Sequence, residues 1–402
     1  MNNNTTVLVL DGETRAALAV VRSLGRARLR VIVASEYSQS LSGTSRFCCR
    51  TAVYPSPFDD IQQFVETISD LIIKENIGVL IPVTDATVCA TLKYQSKLSN
   101  LTIIPLVSFE TYWNASDKIS LMKTAAQLNI PFPLTTFIDP SSGQSIDEHL
   151  STLSFPLIVK PRASILYSGN KMKKTGVRFA SNKEELNQII SSDESFTVPY
   201  MLQEVITGDG IGIFVFCNKG KILSVFSHRR IREKPPYGGV SVVCESTQPD
   251  PIALDASRKL LKELNWSGVA MVEFKRDISK NNAPVLMEIN ARFWGSLQLA
   301  IDAGVNFPLY LYNLSQKDDI PKDNTFKPAR SRWLLGDLDH LIIRLKTPMN
   351  HSRYPQSLKN KLHAIIIFFM EFLKGSKIEE LRYNDVKPFW YAVKQWIKSD
   401  PH

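Results

Sequence analysis

Five cysteines in 402 residues, with no C-x-x-C pair among them, argue against a zinc site or a disulfide framework and point to reduced thiols. No apolar stretch reaches the roughly 18 to 20 residues that a membrane-crossing helix needs. The opening Met1-Asn2-Asn3-Asn4-Thr5-Thr6 lacks the basic-then-apolar order of a secretory leader, so the expected location is the cytoplasm. A G-x-G-x-x-G fingerprint is missing as well. Gly12 stands alone in its turn, which argues against a nicotinamide or flavin dinucleotide site. There is no internal repeat and no zinc-finger, helix-turn-helix or RNP pattern, so nucleic acid is not an expected partner.

Acidic charge is in the minority, 39 Asp and Glu against 48 Lys and Arg, and the imbalance is local. From Phe326 onward fourteen Lys and Arg face seven Asp and Glu. There the segment Lys359 to Lys374 brackets a short apolar run with lysines. Two readings stay open for it: a packed terminal helix with solvated lysines, or a peripheral contact with a membrane or a partner protein.

What the chain does contain is an ordered series of apolar runs and helical periods, long enough for two or three domains. Val7-Leu8-Val9-Leu10, a helix over 15–24 and Val31-Ile32-Val33-Ala34 spell β-turn-α-β and hence a parallel sheet. A helix over 60–74 leads to Val79-Leu80-Ile81-Pro82, with Asp85 just past the edge where open α/β sheets bind ligands. Ser116-Asp117-Lys118 opens a further helix reaching Leu128. Shorter strands follow over 155–161, 175–180 and 200–206, then a hairpin of 213–216 with 222–226 across Asn218-Lys219-Gly220-Lys221. The polar segment 164–174 reads as a loop and a candidate phosphate cover.

The densest chemistry lies between Val269 and Gly295. Alternation over 285–292 sends Met287, Ile289 and Ala291 to one face and Glu288, Asn290 and Arg292 to the other. With Glu273 in the preceding strand, two carboxylates and a carboxamide oxygen would converge as hard ligands for Mg²⁺ bridging phosphates. Around Ser227 to Glu233 the same alternation puts Arg230 and Arg232 on one face and Arg229 on the other. Guanidinium forks there suit carboxylate or phosphate oxygens. His228 is a candidate base or a structural histidine.

Taken in order, SDK at 116–118, IVKP at 158–161, LQEVITGDG at 202–210, SHRRIRE at 227–233, GGVSV at 238–242 and LMEINARFWGS at 286–296 resemble the ATP-grasp superfamily. The likeness is to its carbamoyl-phosphate-synthase-like carboxylate–amine ligases of unassigned substrate. It implies an α/β and α+β architecture: a Rossmann-like pre-ATP-grasp domain with a parallel sheet at 1–112, a central lobe at 113–198, a second lobe with the metal site at 199–325, and a basic, mostly helical extension at 326–402. The two lobes would clamp ATP. The resemblance further implies that Lys118 and Lys160 hold phosphates, that Gln203, Glu204, Val205 and Ile206 receive adenine, and that Asp209 accepts ribose hydroxyls. Glu273, Glu288 and Asn290 would carry Mg²⁺, with Mn²⁺ as a substitute, while Arg292, Arg230 and Lys160 act on the transferring phosphoryl group. One departure is the segment 161–175, which holds only Gly169 in its interior; Lys171, Lys173 and Lys174 supply charge instead.

The implied activity is ATP-dependent activation of a carboxylate as an acyl phosphate and its capture by an amine. Bicarbonate or carbamate activation is a second reading, and a non-catalytic ATP-binding regulatory or scaffold protein a third.

Overall fold

The computed structural model describes residues 5–143, 145–318, 325–349 and 354–398. Residues 1–4 and 399–402, on which the leader and tail readings partly rest, lie outside the described residues. The first domain holds a four-stranded parallel sheet in the spatial order Arg50–Val53, Arg30–Ser35, Thr6–Val9, Ile77–Ile81. Three of its strands read as apolar runs because both faces are covered, the exception being the mostly exposed edge strand Arg50–Val53. Val7, Val9, Val31 and Val33 pack under the helix Arg15–Arg26, and Leu8, Ile32 and Leu80 under Ile61–Glu75.

The central lobe has an antiparallel sheet ordered Thr135–Ile138, Tyr200–Glu204, Leu157–Pro161, Arg178–Ala180. It owns a separate core of Leu157, Val159, Leu186, Phe196, Tyr200 and Leu202. The segment 164–174 is not a loop, as its polarity suggested. Ile165–Ser168 and Lys171–Lys174 pair as a two-stranded hairpin turned by Gly169 at φ 61°. Ile165, Tyr167 and Met172 are the apolar members of a half-buried strand pair. They dock it on the first domain, where the Tyr167 hydroxyl donates to the Cys89 carbonyl at 3.1 Å and Met172 N to the Phe58 carbonyl at 3.2 Å.

The largest sheet has seven strands in the order Ala283–Asn290, Gly268–Asp277, Gly210–Asn218, Lys221–Lys234, Val240–Ser246, Arg330–Arg332, Lys377–Ile378. The hairpin between Asn218 and Lys221 turns through Lys219 at φ 49° and Gly220 at φ 74°, the paired positive angles of a type I′ turn. Its last two strands come from the C-terminal extension, which thereby covers what would be an open sheet edge. The extension adds helices Leu334–Lys346, Leu358–Met370 and Lys387–Lys398. Of these, Leu358–Met370 buries Ala364 and Phe368 while Leu362 and Phe369 stay about 60% and 62% exposed. No helix among the described residues is long and apolar enough to cross a membrane.

Candidate active site

Glu273 and Glu288 stand directly opposite each other in the antiparallel pair of Gly268–Asp277 with Ala283–Asn290. Like charges in that position repel unless cations compensate them, and several do. Arg230 donates to Glu273 Oε1 at 2.9 Å, Lys118 Nζ lies 3.6 Å from Glu288 Oε2, and Asn290 Nδ2 donates to Glu288 Oε1 at 3.1 Å. Burial, helped by Glu288, pushes the Glu273 carboxyl up against the pull of Arg230. Burial opposes ionisation of Glu288 too, but Lys118 and Lys160 outweigh it and hold that carboxyl below its ordinary value. The strict alternation expected for this strand is broken at Met287, the extra residue of a bulge between the pairs Glu273–Glu288 and Phe274–Leu286. Met287 therefore lines the cleft beside Glu288 instead of joining Ile289 in the core.

Both expected lysines converge on this pair. Lys118 is the first residue of the helix Lys118–Gln127, whose start is set by Asp117: its Oδ1 accepts from Ile119 N at 3.0 Å and Ser120 N at 3.2 Å, and its Oδ2 pairs with Arg162. Lys160 is the penultimate residue of the apolar strand Leu157–Pro161 and is 5% exposed. Burial lowers its ammonium to about 8, with Glu288 pulling the other way and Lys118 adding to the drop.

A cleft of about 760 Å³ opens between the two sheets, lined by Lys160, Glu204, Val205, Ile206, Asp209 and Glu273. Gln203 is fully buried; its Nε2 donates to Thr135 Oγ1 at 2.9 Å, and its Oε1 has no partner among the described residues. Its cross-strand neighbour Ile158 lines the cleft, so the orphan oxygen lies on the sheet face where an amino-bearing base would need an acceptor. Glu204 turns its carboxylate to Leu134 N at 2.8 Å, and the Ile206 carbonyl already accepts from Lys275 Nζ at 2.9 Å. Asp209 is exposed on the cleft rim. The turn before it needs glycine, because at φ 149° a Cβ on Gly208 would fall 1.8 Å from the Arg276 carbonyl. Lys275 escaped the sequence reading, although its spacing of two from Glu273 placed it on the same face.

The arginines divide differently from expectation. Ile231 is a bulge residue between the pairs Arg230–Cys244 and Arg232–Val243, so Arg230 and Arg232 face opposite ways. Arg230 faces the cleft. Arg232 is buried against the extension, where it forks onto Asp337 at 2.6 and 2.8 Å and meets Glu371 at 3.2 Å. Arg292 reaches across to the first domain: its Nε donates to Asp85 Oδ2 at 2.8 Å and its Nη2 to Asn290 Oδ1 at 3.2 Å. Asn290 thus offers its oxygen to Arg292 and its amide to Glu288. Burial lowers His228 to about 3, Arg230 adding to the effect, which keeps the imidazole neutral.

A second recess of about 190 Å³, lined by Arg15, Arg230, Arg292 and Trp294 among others, shares Glu273 and Glu288 with the larger cleft. Among the described residues no group of three or more His, Cys, Asp or Glu forms a metal cage. The carboxylate pair fits Mg²⁺ in the manner that ion favours, one or two carboxylates completed by phosphate oxygens and water.

Residues 196–334 match a family model described as ATP-grasp in the biosynthetic pathway with Ter operon. No curated protein matches the chain by sequence. Among solved structures, the L-amino acid ligase from Bacillus licheniformis aligns with a TM-score of 0.60 at 18% identity, over 79% of this chain and 75% of that one. The biotin carboxylase-beta-gamma-ATP complex from Campylobacter jejuni aligns with a TM-score of 0.64 at 14% identity, over 82% and 75%. N5-carboxyaminoimidazole synthetase from Staphylococcus aureus complexed with ADP gives 0.61 at 17% identity, over 82% of each chain. What this chain shares with them, from its parallel first domain to the carboxylate-bearing sheet, is the ATP-grasp fold.

Proposed function

We propose that the protein is an ATP-dependent ligase that activates a carboxylate as an acyl phosphate and joins it to an amine. The observation carrying this reading is that Glu273 and Glu288 form the wall common to a nucleotide-sized cleft and an arginine-lined recess. In the ligase, ATP occupies the cleft, with Gln203 Oε1 accepting from the adenine amino group, Asp209 near the ribose, and Lys118 and Lys160 on the phosphates. Glu273 and Glu288 hold Mg²⁺ or Mn²⁺, which when bound neutralises phosphate charge and polarises the transferring group. The acid lies in the recess, its carboxylate paired by Arg230 or Arg292.

The chemistry balances without a protein nucleophile. A carboxylate oxygen attacks the γ-phosphorus as the bond to the β-bridging oxygen breaks and ADP leaves. The neutral amine then attacks the acyl carbon, the C–O bond to phosphate breaks, and the amine nitrogen gives up a proton. What the chain contributes is position and charge, from Lys118, Lys160, Arg230 and Arg292. Ligases of similar fold support an ATP-driven ligation; the choice of a larger carboxylic acid over bicarbonate rests on the arginine-lined recess, roomier than bicarbonate needs.

The test is to incubate the protein with Mg-ATP and pools of acids and amines, following ADP and the mass of new products. ADP release that requires one acid and one amine, with a product lighter than their sum by one water, is the expected result. ADP release driven by bicarbonate alone would overturn the assignment in favour of carbamate chemistry.

A further inference from the structure

A cavity of about 380 Å³ lies where the helix Lys387–Lys398 of the extension meets the first domain, away from the nucleotide cleft. Tyr37, Trp333, Tyr391 and Trp396 wall it, and the carboxylates of Glu13 and Glu380 stand among them. Aromatic faces beside acids suit a cation with an apolar body. Glu380 is 2% exposed, and its Oε2 has no hydrogen-bond partner among the described residues. A buried, unsatisfied carboxylate oxygen calls for a donor.

Its position is fixed from behind. Arg22, 1% exposed, donates to the Glu379 and Glu380 carbonyls at 2.7 Å each while pairing with Asp385 at 2.7 Å. Arg15 joins this cavity to the chemistry, for it lines both this cavity and the recess beside Glu273 and Glu288. Its guanidinium stacks 4.0 Å from the Trp333 ring centroid and is ion-paired with Glu379. One side chain thus borders both spaces.

We propose that this cavity binds an organic cation, its ammonium group set against Glu380 and Glu13 and its apolar or aromatic body held between Trp333 and Tyr391. Burial, opposed by Arg15, pushes the Glu380 carboxyl up to about 7, and burial raises Glu13 as well; an ammonium bound there favours the ionised form of each. Its walls come from residues more than 350 positions apart, such as Glu13 and Glu380, which only the fold brings together.

The experiment is a tryptophan-fluorescence titration of the full-length protein, without ATP, using tyramine, its neutral analogue 4-ethylphenol and its anionic analogue 4-hydroxyphenylacetate. Trp333 and Trp396 are the reporters. Tyramine should saturate, with both analogues weaker by about tenfold or more, and Glu380→Gln should weaken tyramine by about tenfold. Tyr391→Leu, at a partly exposed position, gives a second variant, and ATP-induced thermal stabilisation measured on the same preparations reports that each variant is folded. Equal binding of all three probes, or wild-type tyramine affinity in folded Glu380→Gln, overturns the proposal. Failure of tyramine to saturate in protein that ATP stabilises, and that is therefore folded, overturns it as well.

Discussion

Arg230 and Arg232 lie two residues apart in one strand, yet they belong to clusters of opposite character. Around Arg232 the charges pair mainly with one another, although the buried Arg332 Nη1 has no hydrogen-bond partner among the described residues. Asp337 accepts from Arg232 and from Arg332 Nε at 2.7 Å, and Glu371 accepts from Arg330 Nε at 2.6 Å and from Ser376. Arg332 is further sandwiched 4.3 Å from the ring centroids of Phe368 and Phe372. Asp337 and Glu371 are fully buried. Around Arg230 the cluster is open, with the side chains of Glu273 and Glu288 22% and 31% exposed toward the cleft. Charges that stabilise a fold saturate one another, whereas charges that act on a ligand keep oxygens and ammonium groups turned to the space it will enter.

The largest expected effect is on the closed cluster. Asp337→Asn strands two buried guanidinium groups and should cost about 3 to 5 kcal/mol of stability, read as a shift in the urea midpoint at unchanged slope. A loss under about 1 kcal/mol would mean that this cluster, too, is open to solvent. Glu288→Gln should do the reverse, lowering acid-dependent ADP release by about 10² to 10³ while leaving the melting temperature near that of the parent protein. Full turnover in that variant would remove the carboxylate pair from the chemistry.

Acid should discriminate between the clusters as well. Burial works against ionisation of Glu371, but hydrogen bonds from Arg330 and Ser376 and the charge of Arg232 bring it to about 2 from an ordinary 4.5. A carboxyl depressed by folding contributes stability that is complete above the unfolded value and is lost as pH falls from about 4.5 toward 2. The loss amounts to about 3 kcal/mol. Glu371→Gln should flatten the stability profile in that window. Smallest is the effect at Lys160. Its ammonium loses its proton as pH rises through about 8, so ATP affinity should fall by up to about tenfold between pH 7 and 9.5. Lys160→Ala should bind ATP weakly with a flatter pH profile, and a wild-type profile in that variant would move the phosphate contact elsewhere.

The parts of the site that obey local periodicity were legible. Glu273 and Glu288 could be set face to face from alternation alone, and Asp117 announced the helix that carries Lys118. Illegible were the single extra residues Met287 and Ile231. A bulge leaves no compositional mark, yet it reverses every face assignment beyond it. The tail's basic surplus suggested surface charge, but Arg330 and Arg332 are held by acids about 40 and 5 positions away, respectively. The Arg330–Glu371 pairing, across 41 positions, exists only once the chain has folded. The segment 164–174 misled through its lysines, which face outward, while Ile165, Tyr167 and Met172 carry the docking.

That docked hairpin has a mechanical consequence. The first domain and the seven-stranded sheet share continuous cores, and the central lobe, which has a core of its own, also sends Ile165, Met172 and Met201 into the shared one. The hairpin is fastened to the first domain through Asn170, Tyr167 and Met172. A central lobe that pivoted as a rigid body would have to carry or break these attachments, which couples any widening of the cleft to the surface of the first domain.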